Sequence, residues 1–80
     1  INGLRPSRSE RREAGIVVCL KADIVRVDAM VERLYLGLDP SLRRAAGRSV
    51  LAHLIDLIGR GAVACDGPPT VDARYRLIVG

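Results

Sequence analysis

An α+β fold, three helices followed by a small antiparallel β-hairpin, is predicted by three features of this chain. Asp39 to Gly61 reads as one continuous helix, entered at Asp39-Pro40 and left at Gly61. Two short alternating runs follow it, around Val63 to Cys65 and Tyr75 to Leu77, and Asp66-Gly67-Pro68-Pro69-Thr70 between them has the composition of a turn. Two shorter helical patterns come first. Helices in this order ahead of a two-stranded ribbon make a winged helix-turn-helix, with residues 66–70 as the wing tip.

Taken in order, Ile1 to Pro6 have no periodicity and contain Gly3 and Pro6, so they read as a linker from a preceding domain, and residues 7–80 as the winged-helix domain itself. Ser7 followed by Glu10 has capping-box spacing and opens a first helix over about Ser7 to Lys21. Its opening residues Arg8, Glu10, Arg11, Arg12 and Glu13 are expected to be solvated. Ile16, Val17, Cys19 and Leu20 supply its apolar face. Gly15 inside it costs about 1 kcal/mol relative to alanine, which packing must offset.

Ile24 and Val25 are available for a third short strand against the hairpin. Val27, Met30, Val31 and Leu34 then recur at three-and-four spacing, a second helix that ends near Tyr35 and Leu36 and is stopped by Gly37. Asp39 suits the N-cap of the third helix and Pro40 its first position, where a missing amide hydrogen costs nothing. Asp39 with Arg43, and Asp56 with Arg60, have the acid-then-base spacing of a helical ion pair. In the hairpin, Val63 and Cys65 face opposite to Ala62 and Ala64, while Tyr75, Leu77 and Val79 alternate with Arg74 and Arg76.

Eighty residues make one small domain that buries only about 60% of the surface its unfolded chain exposes. Aromatic residues are two tyrosines, with no Phe or Trp, so the core must be Leu, Ile, Val and Ala, and Tyr35 is a core or rim residue. No apolar run reaches the roughly 18 residues of a membrane span and no signal-peptide pattern opens the chain, so a soluble, cytoplasmic protein without a membrane partner is expected. Of the 13 basic residues only Lys21 is a lysine, and the net charge is +4. That balance favours a solvated arginine-rich surface over a dedicated phosphate-binding patch. Cys19 and Cys65 are far apart in sequence with no histidine beside them, the pattern of buried reduced thiols.

On the third helix, 100° per residue puts Leu42, Ala46, Val50, His53, Leu54 and Leu57 on one side, the core side. The opposite strip carries Arg44, Ala45, Arg48, Ala52 and Asp56, flanked by Leu51 and Ile55. Base reading in a major groove calls for side chains that match base edges, and this strip offers two alanines and an acid among its five positions. The wing tip is acidic and proline-rich and has no cation for a phosphate. Arg44, Arg48, Leu51 and Ile55 instead form a mixed basic and apolar strip suited to docking on another protein. Leu51 and Ile55 would alternatively pack beneath the first helix.

Ser49, His53 and Asp56 share a helical face and have the residue types of a hydrolytic triad. No strained elbow or oxyanion hole accompanies them, and His53 is expected to be structural. One histidine does not supply the three protein ligands of a hydrolytic zinc centre, and there is no phosphate-binding glycine loop. No catalytic, cofactor or metal residue is therefore assigned, and the chain is expected not to be an enzyme by itself.

Val27 to Tyr35, Asp39-Pro40-Ser41-Leu42-Arg43-Arg44-Ala45-Ala46, Ser49-Val50-Leu51-Ala52-His53-Leu54 and Tyr75-Arg76-Leu77 together resemble the C-terminal winged-helix domain of metallo-β-lactamase-fold hydrolases of the lactamase-beta-2-like type. Arg12-Glu13 resembles the pair that begins that domain's first helix, and the resemblance spans Arg8 to Val79. The chain departs from the pattern at Arg8 and Ser9, where a histidine and an arginine are usual, and at Arg26, where a Ser or Thr cap is usual; the lost cap should cost about 1 kcal/mol. The resemblance implies a catalytic metallo-β-lactamase-fold domain in the same polypeptide that holds the zinc ions and performs hydrolysis. It implies that the winged helix packs beside that domain and helps shape its substrate site. The alternative is a stand-alone nucleic-acid-binding winged helix using Arg43, Arg44, Arg48, Arg74 and Arg76 against phosphates.

Overall fold

The computed structural model describes residues 8–78. The connector Ile1 to Pro6, the Ser7 and Glu10 capping pair and Val79 lie outside the described residues and side chains. In chain order the elements are α1 (Arg8–Lys21), α2 (Val27–Leu34), a 3-10 turn (Pro40–Leu42), α3 (Arg43–Gly59), β1 (Val63–Cys65) and β2 (Tyr75–Leu77). The strands pair antiparallel, Val63 opposite Leu77, Ala64 opposite Arg76 and Cys65 opposite Tyr75. This is the expected winged helix, three helices and a two-stranded wing.

Both long helices end in the same way. At the end of α1 the amide of Ile24 donates to the Cys19 carbonyl at 2.8 Å and that of Asp23 to Leu20 at 3.1 Å; at the end of α3 Ala62 donates to Leu57 and Gly61 to Ile58, each at 3.0 Å. These paired bonds satisfy carbonyls that the last helical turn leaves open. The motif needs a left-handed residue, which Gly61 provides at φ 76° and Asp23 provides at φ 66°. Asp23 redirects the chain so soon before α2 that no room remains for a strand at Ile24 and Val25. The expected third strand is reduced to one bridge, Arg26 with Arg74, and a bond from the Tyr75 amide to the Val25 carbonyl at 2.9 Å.

The α2 N-cap is Arg26, whose side chain makes no capping bond. The next helix is capped well: Asp39 Oδ1 accepts from the Ser41 amide and from the Ser41 hydroxyl, both at 2.9 Å. Those bonds hold the Asp39 carboxyl below its ordinary pKa. They also redirect two sequence expectations. Asp39 is used locally, so Arg43 turns to Glu32 of α2 at 3.4 Å instead. The first turn is 3-10 rather than α-helical, which rotates Leu42 out of the core stripe and leaves it 52% exposed. Gly47 is buried on α3, and a β-carbon there would stand 3.6 Å from Val27 Cγ1.

The core sits where the three helices meet the inner face of the wing. Ile16, Cys19 and Leu20 come from α1, Val27, Met30 and Val31 from α2, Ala46, Val50, Leu54 and Leu57 from α3, and Val63 and Tyr75 from the strands. Each fully buried aliphatic side chain here contributes on the order of 1.5–3 kcal/mol. Gly15 has a packing role: a β-carbon there would lie 2.7 Å from Leu34 Cδ2, so α2 approaches α1 through the space that glycine leaves. Tyr35 is a rim residue, half-buried, with the Arg12 guanidinium 4.2 Å from its ring centroid. Arg12 and Glu13 are therefore not solvated as their helical position suggested; each is half-buried against a neighbouring element.

Candidate functional site

Arg44, Arg48, Leu51 and Ile55 lie along one strip of α3, as their spacing requires, but they do not share one environment. Arg44 and Arg48 are exposed, Ile55 is 47% exposed, and Leu51 is half-buried against the core. Leu51 thus packs as a core-edge residue, and Ile55 remains available to a partner. The strip runs into a cleft of about 480 Å³ formed by α2, α3 and the loop after β1. Val27, Val31, Gly47 and Val71 form its apolar lining, and Arg43, Arg44, Arg48, Asp28 and Asp72 its charged rim.

The wing reaches this cleft because its loop folds back on itself. Tyr75 is 1% exposed and its hydroxyl donates to the Thr70 carbonyl at 2.6 Å, while the Ala73 amide donates to the same carbonyl at 3.3 Å. The Asp72 amide donates to Thr70 Oγ1 at 3.3 Å, and Arg76 pairs with Asp66 at 2.7 Å. Val71 and Asp72 are thereby carried to the beginnings of α2 and α3. They face the site in place of the Asp66-to-Thr70 tip that sequence reading emphasised. An isolated valine after Pro-Pro-Thr was the one signal of this, and alternation along the strand could not place it.

The rim charges divide by their partners. Arg43 is committed to Glu32 at 3.4 Å. Asp28 accepts from the Ala29 amide at 2.8 Å and faces Arg26 Nε at 3.7 Å. Among the described residues, Arg44 and Arg48 form no ion pair. Of the other cations assigned to a phosphate-binding surface, Arg76 is held by Asp66, and Arg74 sits opposite Arg26 at the isolated bridge.

The triad-like spacing of Ser49, His53 and Asp56 does not assemble. Ser49 is exposed, and Asp56 Oδ2 pairs with Arg60 at 2.7 Å. His53 Nδ1 instead faces Glu13 Oε2 of α1 at 3.7 Å, and Glu13 Oε1 also takes Arg60 at 2.7 Å. Glu13, foremost, and Asp56 raise the pKa of the Arg60 guanidinium, burial working against them. This clasp between α1 and α3 was missed because its residues are 47 positions apart and no local spacing connects them. Cys19 and Cys65 are free thiols, and burial pushes the Cys19 thiol up while the positive charge of Arg33 partly offsets it. Among the described residues no group of three or more His, Cys, Asp and Glu side chains is placed to hold a metal ion, and no helix is long and apolar enough to cross a membrane.

Residues 27–68, more than half of the chain and reaching from the start of α2 into the wing loop, match the family model described as the beta-lactamase associated winged helix domain. No curated protein and no solved structure matches the chain. With three helices, a two-stranded wing and this match across the α2–α3 unit, the chain belongs to the beta-lactamase associated winged helix domain family.

Proposed function

We propose that this winged helix is the C-terminal accessory domain of a zinc-dependent metallo-β-lactamase-fold hydrolase, where it packs on the catalytic domain and helps shape the substrate site. The zinc and the hydrolytic chemistry belong, in this reading, to the partner domain; the winged helix contributes surface. The α3 strip carries the proposal: two exposed arginines that form no ion pair among the described residues stand in line with the exposed Ile55, beside an apolar-lined cleft. Interfaces between domains combine such apolar area with charges that set orientation.

The same charges speak less well for a nucleic-acid module. Arg43 and Arg76 are engaged by Glu32 and Asp66, and Asp28 and Asp72 stand at the rim where successive phosphates would lie. A nucleic-acid binder would lose affinity steeply between low and physiological salt.

The test uses the parent polypeptide. Its coding sequence on the N-terminal side should contain a metal-binding His-x-His-x-Asp-His run. In that full polypeptide, Arg48→Glu combined with Ile55→Asp should raise KM more than it lowers kcat and should expose the interdomain connection to limited proteolysis. Unchanged kinetics and an unchanged proteolytic pattern, or an upstream sequence with no metallo-β-lactamase domain, would overturn the proposal.

A further inference from the structure

We infer that the cleft between α2, α3 and the wing is the seat of an acidic, aliphatic segment of the catalytic domain: a Glu or Asp carboxylate held between Arg44 and Arg48, with a neighbouring aliphatic side chain against the exposed Val71, above a floor of Val27 and Val31 that belongs to the core. The inference rests on the docking reading and names the chemistry of the segment that docks. Arg44 and Arg48 are one helical turn apart on the same face, so their forks can converge on one carboxylate, a geometry that guanidinium groups favour. The cleft's volume of about 480 Å³ lies within the range of roughly 300–1,000 Å³ usual for ligand sites.

Charge complementarity selects the occupant. Glu32 accounts for Arg43, and Arg26 with the Ala29 amide accounts for Asp28. Among the described residues, the charges left at the rim are Arg44 and Arg48 against Asp72, an excess of one positive charge that a single carboxylate balances. Asp72 then faces the incoming backbone, whose N–H groups are donors it can accept from. A polyanion would bring successive charges against Asp28 and Asp72. A purely apolar helix would leave both guanidinium groups desolvated and unpaired, which is costly.

The probe is a pair of blocked tripeptides, acetyl-Leu-Glu-Leu-amide and acetyl-Leu-Gln-Leu-amide, titrated into the isotope-labelled chain and followed by amide chemical shifts. The glutamate peptide should shift Val31, Gly47 and Val71 together. The glutamine peptide, Arg44→Gln and Arg48→Gln should each weaken binding by about tenfold, the loss expected for one charge-assisted contact. Val71→Asp, at a position 44% exposed that tolerates a polar residue, should weaken the glutamate peptide without changing the fold. Equal binding of both peptides, no shifts at these amides, or stronger shifts from a short oligothymidylate would overturn the inference. If no peptide binds while Arg48→Glu with Ile55→Asp still loosens the full polypeptide, the cleft assignment fails alone. Loss of both effects removes the docking reading as well.

Discussion

Glu13, in the middle of α1, holds Arg60, just beyond the end of α3, at 2.7 Å from a position where its own side chain is only 17% exposed. Asp56 holds the same guanidinium at the same distance but is 61% exposed. Equal distances with unequal solvent access make the two pairs unequal in effect, since water screens the outer one. His53 shares the inner carboxylate at 3.7 Å and so anchors the same junction.

Glu13→Gln should therefore lower the urea midpoint more than Asp56→Asn does, although both substitutions remove one charge from Arg60. A double-mutant cycle between Glu13→Gln and Arg60→Gln isolates the pair from other effects of each change. Equal midpoints for the two single variants would mean that the half-buried clasp adds nothing beyond a surface ion pair.

Gly15→Ala should move the Leu34 side chain, because its β-carbon would meet Leu34 Cδ2 at 2.7 Å and that atom is the free end of a half-buried leucine at the last residue of α2. The displaced rotamer offsets part of alanine's propensity gain of about 1 kcal/mol, so the substitution should stabilise the domain by less than that. In a Leu34→Ala background the obstacle is gone and Gly15→Ala should stabilise by the full ~1 kcal/mol. Chemical denaturation of the four proteins reads the difference; an equal gain in both backgrounds refutes the contact.

Burial, with the charge of Cys65 as a second cause, pushes the Tyr75 phenol up from 10.0 to about 12. The folded pKa exceeds the unfolded one, so the associated stability is fully present below pH 10 and is lost as pH rises toward about 12, where only the unfolded chain ionises first. Tyr75→Phe removes the bond to Thr70 and should cost about 1 kcal/mol near neutral pH. Its stability should fall less than that of the wild type through the alkaline window, and the two should converge. Denaturation curves at a series of pH values check this, and a constant difference between the proteins would exclude ionisation of Tyr75 as the cause.

Cys65 should react with iodoacetamide faster than Cys19, by about tenfold or more, because Cys19 is 1% exposed and its thiol is pushed up by burial. Peptide mass spectrometry after timed alkylation gives both rates. Equal rates would show that the face of α1 carrying Cys19 opens as readily as the wing.

The helices were legible because local chemistry states where they begin and end. Val27, Met30, Val31 and Leu34 have the three-and-four spacing of an amphipathic helix, and Asp39-Pro40 and Gly61 bracket the next one. The hairpin was legible from alternation about a Gly-Pro-Pro turn. Leu42 was misplaced because an α-helical wheel was extended through a turn that Asp39 winds more tightly. The brief strand for which Ile24 and Val25 were available contracts to the Arg26–Arg74 bridge and the Tyr75 bond to Val25, because the chain leaves the left-handed Asp23 just ahead of α2.

The candidate strip was legible only in part. Arg44, Arg48 and Ile55 are exposed as their positions on the wheel require, while Leu51 turns toward the core. The cleft beside them could not be read from α3, since two of its walls come from α2 and the wing loop.

By itself the sequence determined the order and kind of the elements, the winged-helix class and the outward strip of α3, because periodicity, caps and turn residues act within a few positions along the chain. Only the tertiary structure decided that Glu13 clasps Arg60 and His53, that Gly15 admits Leu34, and that Val71 and Asp72 meet Arg44 and Arg48 across a cleft. Those relationships depend on how separate helices cross and how the wing folds back. Packing sets such distances between residues that no local pattern connects.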